Sequence, residues 1–111
     1  MSPRSWKDRI RDMLDAIEEI QRFTAEMDFE TFLADDRTIR AVEMNLIIIG
    51  EAAGQIPEET QEQHSQVPWS LMRAMRNRMA HVYFSVDEKL LWDTATQQLK
   101  ELVPLLEATL A

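Results

Sequence analysis

The sequence contains no cysteine, which removes disulfides, thiolate nucleophiles and thiolate metal sites and suits a reducing compartment. It has only two glycines and four prolines in 111 residues, too few for a fold built on many tight turns. What fills the chain instead is Leu, Met, Ala, Glu and Gln, a composition that favours helix almost throughout. No alternating strand pattern interrupts it. Long apolar runs are missing too: the longest aliphatic stretch is Leu46–Ile49, against the roughly 20 residues that span a bilayer. The first fifteen residues carry Arg4, Lys7, Asp8, Arg9, Arg11, Asp12 and Asp15, so no secretory signal is legible there. These absences predict a soluble cytoplasmic protein with no membrane association, folded as a single domain over 1–111. At this length a partner subunit helps to bury apolar area.

One further absence is local. From Gln63 to Val86, 24 residues, there is no Asp or Glu, although the chain carries a net charge of −8. Residues 1–62 hold fifteen acids against seven Lys and Arg, and residues 87–111 hold five against two, while the window between them holds Arg73, Arg76 and Arg78 alone. A strongly acidic body cannot coat nucleic acid non-specifically, because phosphate neutralisation needs a basic surface. A small basic focus on that body can still hold one phosphate at a defined place.

The periodicity predicts an all-α, up-and-down bundle of about four helices plus a short one. Ser2 as N-cap with Pro3 behind it starts the first helix, which runs to about Ala25 with Trp6, Ile10, Met13, Leu14, Ile17 and Ile20 on its apolar face. A short turn or helix follows Asp28. Asp35 or Asp36 caps a second long helix that ends at Gln55 or Ile56, before Pro57. Its run through Leu46–Ile49 predicts a central helix buried on several sides, and its stripe of Gly50, Ala53 and Gly54 predicts a close neighbour, since each helical Gly costs roughly 1 kcal/mol relative to Ala. Residues 57–66 read as a polar loop, in which His64 is solvated; with no Cys and no His-Glu-x-x-His spacing, no metal site is predicted. Pro68 launches the third helix. Ser85 with Glu88 reads as the capping box of the fourth, whose buried stripe is Leu91, Ala95, Leu99, Leu102 and Leu106 and whose last turns Pro104 should bend or loosen.

On a helical net the third helix divides into stripes: Met72, Met75, Met79 and Val82, with Trp69, face the core; Arg73, Arg76, Ala80 and Tyr83 form a second stripe; Ala74, Asn77 and His81 a third. Five residues separate Arg76 from His81, so in a regular helix they point about 140° apart. To act on one group they need a helix that ends or distorts near His81, or a second copy across a twofold axis. The chemistry they could perform is specific. An imidazole titrates near neutrality and a guanidinium grips phosphate oxygens. One histidine could take the proton from a ribose 2′-OH, arginine could stabilise the phosphorane, and a second histidine could protonate the leaving 5′ oxygen. That chemistry demands RNA. An Arg and a His on a soluble helix also commonly form nothing more than a solvated face, and Tyr83 alone reads as a half-buried aromatic.

Arg76-Asn77-x-x-x-His81-x-Tyr83 resembles the Arg-x4-His-x-Tyr signature of HepT-type toxins, members of the helical HEPN ribonuclease superfamily. RAVEMNLIIIGEAAGQIP (40–57), VPWSLMRAMRNRMAHVY (67–83) and VDEKLLW (86–92) are similar to three successive blocks of that family, about half the chain in the right order. The resemblance implies a homodimeric bundle and a metal-independent endoribonuclease that inhibits growth, with no cofactor. It also implies the toxin half of a type VII toxin–antitoxin pair, silenced by a minimal nucleotidyltransferase antitoxin that transfers AMP to the motif tyrosine. By position Arg76 and His81 become catalytic, Asn77 supporting and Tyr83 the site of AMPylation; Arg73 and Arg78 are candidate phosphate contacts.

Glu51, a carboxylate in an otherwise apolar helix, needs a partner, and an arginine of the third helix can supply it; a structural ion pair is the favoured reading over a catalytic role. The competing function is a non-catalytic HEPN-like subunit of a nucleotidyltransferase complex, which would use the same arginines to hold a nucleotide or a partner's phosphate.

Overall fold

The computed structural model describes residues 4–82 and 87–111, with residues 77–82 described by their backbone alone. The elements are α1 (Trp6–Thr24), α2 (Phe29–Leu33), α3 (Asp36–Gly54), α4 (Glu58–Gln63), α5 (Trp69–Val82) and α6 (Glu88–Asp93). A π-helical turn (Thr94–Gln98) then leads directly into α7 (Leu99–Thr109). Every described element is helical, which makes the protein an all-α bundle. Its rods are α1, α3, α5 and the α6–α7 unit, with α2 and α4 as short connectors.

Local capping sets each start. α1 begins at Trp6 rather than near Pro3, because Ser5 and Asp8 form the box: Asp8 N donates to Ser5 Oγ at 3.3 Å and Ser5 N donates to Asp8 Oδ2 at 3.1 Å. Ser2 and Pro3 lie outside the described residues. Asp28 caps α2, accepting from Thr31 N at 2.8 Å, and Asp35 caps α3, accepting from Thr38 N at 3.1 Å. α3 ends with Gln55 as C-cap, two residues before Pro57. The cap of α6 is Asp87, whose carboxylate accepts from Leu90 N at 3.0 Å; Ser85, expected in that role, lies outside the described residues.

α3 is central, sharing its two largest interfaces with α1 and α5. Its inward row Ile39, Val42, Leu46, Ile49 and Ala53 is buried at helical spacing, meeting Ile10, Met13, Ile17 and Ile20 of α1 within one core. Removing a side chain such as Leu46 from water contributes about 1.5–3 kcal/mol. Burial on several sides holds, with Glu43, Asn45, Gly50 and Ala52 buried beside that row, and only the outer face is open, where Met44 and Ile48 are 56% and 40% exposed. Two flanking helices cover two sides of a cylinder and leave a third open.

The stretch 57–66 is not a plain loop. Pro57 opens α4, Glu58 and Glu59 stand in its first turn, where the helix dipole favours acids, and Gln61 Nε2 ties it back to the Ile56 carbonyl at 2.9 Å. At the other end of the chain Leu91, Ala95, Leu99, Leu102 and Leu106 are all buried as the spacing predicts. α7 continues through Pro104 to Thr109, and the departure from α geometry falls upstream, where Leu99 N donates to the Thr94 carbonyl across the π turn.

Candidate active site

α5 is held by one face. Trp69, Met72 and Met75 are buried, and Trp69 Nε1 donates to the His64 carbonyl at 3.0 Å, anchoring the helix start against the end of α4. His64 itself is half-buried with its ring 5.7 Å from that of Trp6, so the expectation of a solvated loop histidine is corrected by packing against α1. With Met72 and Met75 turned inward, the neighbouring Arg73 and Arg76 emerge on the exposed side, as the stripes predict.

Each of these arginines is met by a different helix. Arg73 Nη1 donates to Gln61 Oε1 of α4 at 2.7 Å, and its Nη2 to Ser70 Oγ at 3.3 Å. Arg76 Nη1 donates to Glu51 Oε1 of α3 at 2.9 Å, the cross-helix pair expected for Glu51. The two side chains are 55% and 53% exposed, so the pair stands in water rather than in an apolar interior. An exposed pair of this kind contributes only about 0–1 kcal/mol to stability.

The backbone explains why α3 and α5 meet here. A Cβ at Gly50 would lie 2.8 Å from Arg76 N and 2.9 Å from Arg76 Cβ, so only glycine permits this approach. Gly54 meets no atom of the described residues within 4 Å of its Cβ position, so its place in the small-residue stripe reflects no close neighbour among them. Beside the crossing, a groove of about 340 Å³ lies between α1 and α3, lined by Arg9, Asp12, Ile48, Glu51, Ala52 and Gln55.

Asn77, Arg78 and His81 are carried by the backbone of α5, which is helical from Arg76 through His81 and ends at Val82. Their side chains, and Tyr83 as a whole, lie outside the described residues. An unbroken helix places His81 about 7.5 Å along the axis and about 140° around it from Arg76. The α5 backbone thus shows no break between the two positions, and the helix ends one residue after His81.

Sequence reasoning missed Glu43. This α3 carboxylate is buried, its Oε2 accepting from Arg40 Nη1 at 3.0 Å while Oε1 has no hydrogen-bond partner among the described residues. The available signal was a lone Glu between Val42 and Met44 in a row of apolar residues, since burying a charge is costly unless it is paired. Among the described residues no group of three or more His, Cys, Asp or Glu is arranged to hold a metal ion, and no helix is long and apolar enough to cross a membrane.

The family model described as ribonuclease HepT-like matches residues 13–109, from within α1 to the end of α7. The chain belongs to the ribonuclease HepT-like family. The Gly50–Arg76 crossing and all three of the sequence blocks noted above fall inside the HepT-like match. Among HepT-like relatives, the chain is 43% identical over 99 residues to a protein of Thermococcus cleftensis named as a probable ribonuclease HepT, covering 89% of this chain and 90% of that one. Two candidate RNases of Methanocaldococcus jannaschii are also similar. MJ0127 is 38% identical over 82 residues, covering 74% of this chain and 68% of its own. MJ0125 is 33% identical over 102 residues, covering 92% and 88% respectively. No solved structure gives a match.

Proposed function

We propose that this HepT-like chain is a metal-independent endoribonuclease toxin in which Arg76 and His81, supplied by two protomers, cleave RNA in a shared cleft. His81 removes the 2′-OH proton, the 2′ oxygen attacks phosphorus, Arg76 stabilises the negative charge of the phosphorane, and the partner's histidine protonates the departing 5′ oxygen. Asn77, one helical turn before His81, orients the imidazole. Arg73 and Arg78 bind flanking phosphates. The single observation that carries this reading is Arg76 itself: a half-exposed guanidinium, pinned at the closest approach of α3 and α5, on a protein whose remaining charge is strongly acidic. The match of the family model over nearly the whole chain supports the reaction class.

Dimerisation rests on two supports. The α5 backbone is helical from Arg76 through His81, and a regular helix sets positions five apart about 140° from each other, which favours a second chain to complete the site. The outer face of α3 also exposes Met44 and Ile48 on the stripe that continues to Glu51, apolar surface of a kind that a twofold contact covers. Silencing at Tyr83 is supported by the sequence pattern, in which Tyr83 stands seven residues after Arg76, on the same stripe of the helical net. A minimal nucleotidyltransferase transfers AMP from ATP to the Tyr83 hydroxyl and releases pyrophosphate, placing a phosphate and a bulky base over the arginine.

The test is direct. Unmodified protein should cut single-stranded RNA in EDTA, and Arg76→Ala or His81→Ala should abolish cutting while helicity and dimerisation persist. Variants that cut as well as the parent would show that the residues are misassigned. A parent that binds RNA or nucleotide without cutting would favour the non-catalytic reading, towards which the acidic exterior points. Incubation with ATP and the cognate transferase should raise the intact mass by adenylate units mapped to Tyr83, and mapping elsewhere would remove that step alone.

A further inference from the structure

We infer that Glu51 is a positioning residue, whose carboxylate fixes the Arg76 guanidinium beside the Gly50 crossing so that its remaining N–H groups are presented to phosphate. The inference rests on the ribonuclease reading for its purpose and on α3 geometry for its substance.

An arginine side chain has four rotatable bonds and explores many rotamers unless something holds it. Arg76 is held at both ends. Its backbone N and Cβ abut the glycine position of α3, where any larger residue would collide at 2.8–2.9 Å. Its tip is held by Glu51, the next residue on that turn of α3, through a single bond of 2.9 Å from Nη1 to Oε1. Two adjacent α3 residues thus define where the side chain starts and where it ends. It is the one Arg76 side-chain bond among the described residues, and it leaves Nη2 and Nε for the paired N–H fork that suits phosphate oxygens. The contrast with Arg73 sharpens the point, since that arginine is bonded to the neutral oxygens of Gln61 and Ser70 and pairs with no carboxylate among the described residues. Glu51 and Arg76 are both about half exposed, so a ligand can reach the pair without displacing the fold.

A guanidinium fixed in advance acts mainly on the transition state, where phosphorane charge develops, and little on ground-state affinity. The opposite arrangement, a carboxylate acting as an electrostatic brake that competes with phosphate, predicts the reverse: removing it would tighten binding and raise the rate.

The experiment compares the parent with Glu51→Ala, Glu51→Gln and Glu51→Asp. It measures kcat and KM on single-stranded RNA, binding of the all-deoxy oligonucleotide of the same sequence, and 15N relaxation of the Arg76 Nε–Hε group. Glu51→Ala should lower kcat about 10- to 100-fold with KM changed less than about threefold, and should disorder the Arg76 Nε–Hε group. Glu51→Gln keeps an acceptor oxygen at the same reach and should recover most of the rate and the order, while the pH optimum stays in place. An unchanged kcat, or a lower KM with a higher kcat, in Glu51→Ala overturns the inference. A parent that cuts no RNA defeats the ribonuclease reading alone, and the relaxation data then decide: unchanged order in Glu51→Ala overturns the positioning role, and lost order upholds it.

Discussion

Arginines on α1 and on α5 meet their partners by different routes. On α1 the partners are local: Arg11 pairs with Asp8 at 3.3 Å and Arg9 lies 3.9 Å from Asp12, while Arg4, just before the helix, reaches Asp12 at 2.8 Å. On α5 the sequence provides no acid within reach: Arg73 bonds Ser70 of its own helix and Gln61 of α4, and Arg76 takes its carboxylate from Glu51, 25 residues away on α3. The acid-free window is therefore not a carboxylate-free site. It removes local, interchangeable partners and leaves one carboxylate in a position that tertiary structure chooses. Local pairs brace a helix by a few tenths of a kcal/mol, whereas a cross-helix pair gives a side chain a direction.

The largest expected effect breaks the comparison at its centre. Arg76→Ala should lower RNA cleavage by at least ~100-fold, and Arg76→Lys should recover little of it, because an ammonium lacks the planar fork. Arg11→Ala, which removes an equally exposed arginine from α1, should leave the rate within about twofold, since surface changes away from a site are nearly neutral. Single-turnover cleavage of a labelled RNA measures all three. Equal losses in Arg76→Ala and Arg11→Ala would mean that the two helices contribute only diffuse charge.

A smaller effect concerns the crossing that sets Arg76's place. Gly50→Ala puts a methyl group against Arg76 backbone, so α3 and α5 must separate, and urea unfolding should show a loss of about 1–3 kcal/mol. Gly54→Ala meets nothing within 4 Å among the described residues, and neither glycine has positive φ, so the same substitution four residues later should stabilise by up to about 1 kcal/mol. Identical behaviour of the two variants would show that α5 tolerates a shifted crossing.

Much of this was legible in the sequence. The order and type of the long helices, the short element after Asp28, the end of α3 before Pro57 and the buried stripe of α6–α7 follow from periodicity and punctuation, signals that reside within a few residues. The Glu51 pairing was legible because an acid inside an apolar helix demands an explanation. The misses have a common cause. Ser5 displaced Ser2 as the α1 cap because two similar serines precede the same apolar run, and only Ser5 has Asp8 at the third position. α4 was hidden because a six-residue polar helix has no apolar period to detect. The exposure of Met44 and Ile48, the packing of His64 on Trp6 and the burial of Glu43 depend on which sides neighbouring helices cover, and no residue-local pattern encodes that.

The smallest expected effect separates the helix starts by pH. Asp8, Asp28 and Asp35 each have a carboxyl pKa lowered from the ordinary value, chiefly by a backbone N–H hydrogen bond, from Ser5, Thr31 and Thr38 respectively; Ser5, Arg4 and Arg11 also lower Asp8. A carboxyl with a folded pKa below its unfolded one adds stability that is present above the unfolded value, about 3.9, and is lost as pH falls through the lower folded value. α5 has no acid in its first turn, so its start contributes nothing to this dependence. Between neutral pH and about pH 4 the parent should therefore hold a small, constant advantage over Asp35→Asn, whose amide still accepts the Thr38 bond but carries no charge. Below about pH 4 the advantage should shrink toward zero, read as converging thermal midpoints in paired melts. Ser70→Ala in the first turn of α5 should show no such convergence, because no titrating group is altered. A difference between parent and Asp35→Asn that stayed constant down to pH 2 would mean the cap works through hydrogen-bond geometry alone, and the contrast between charged and uncharged helix starts would disappear.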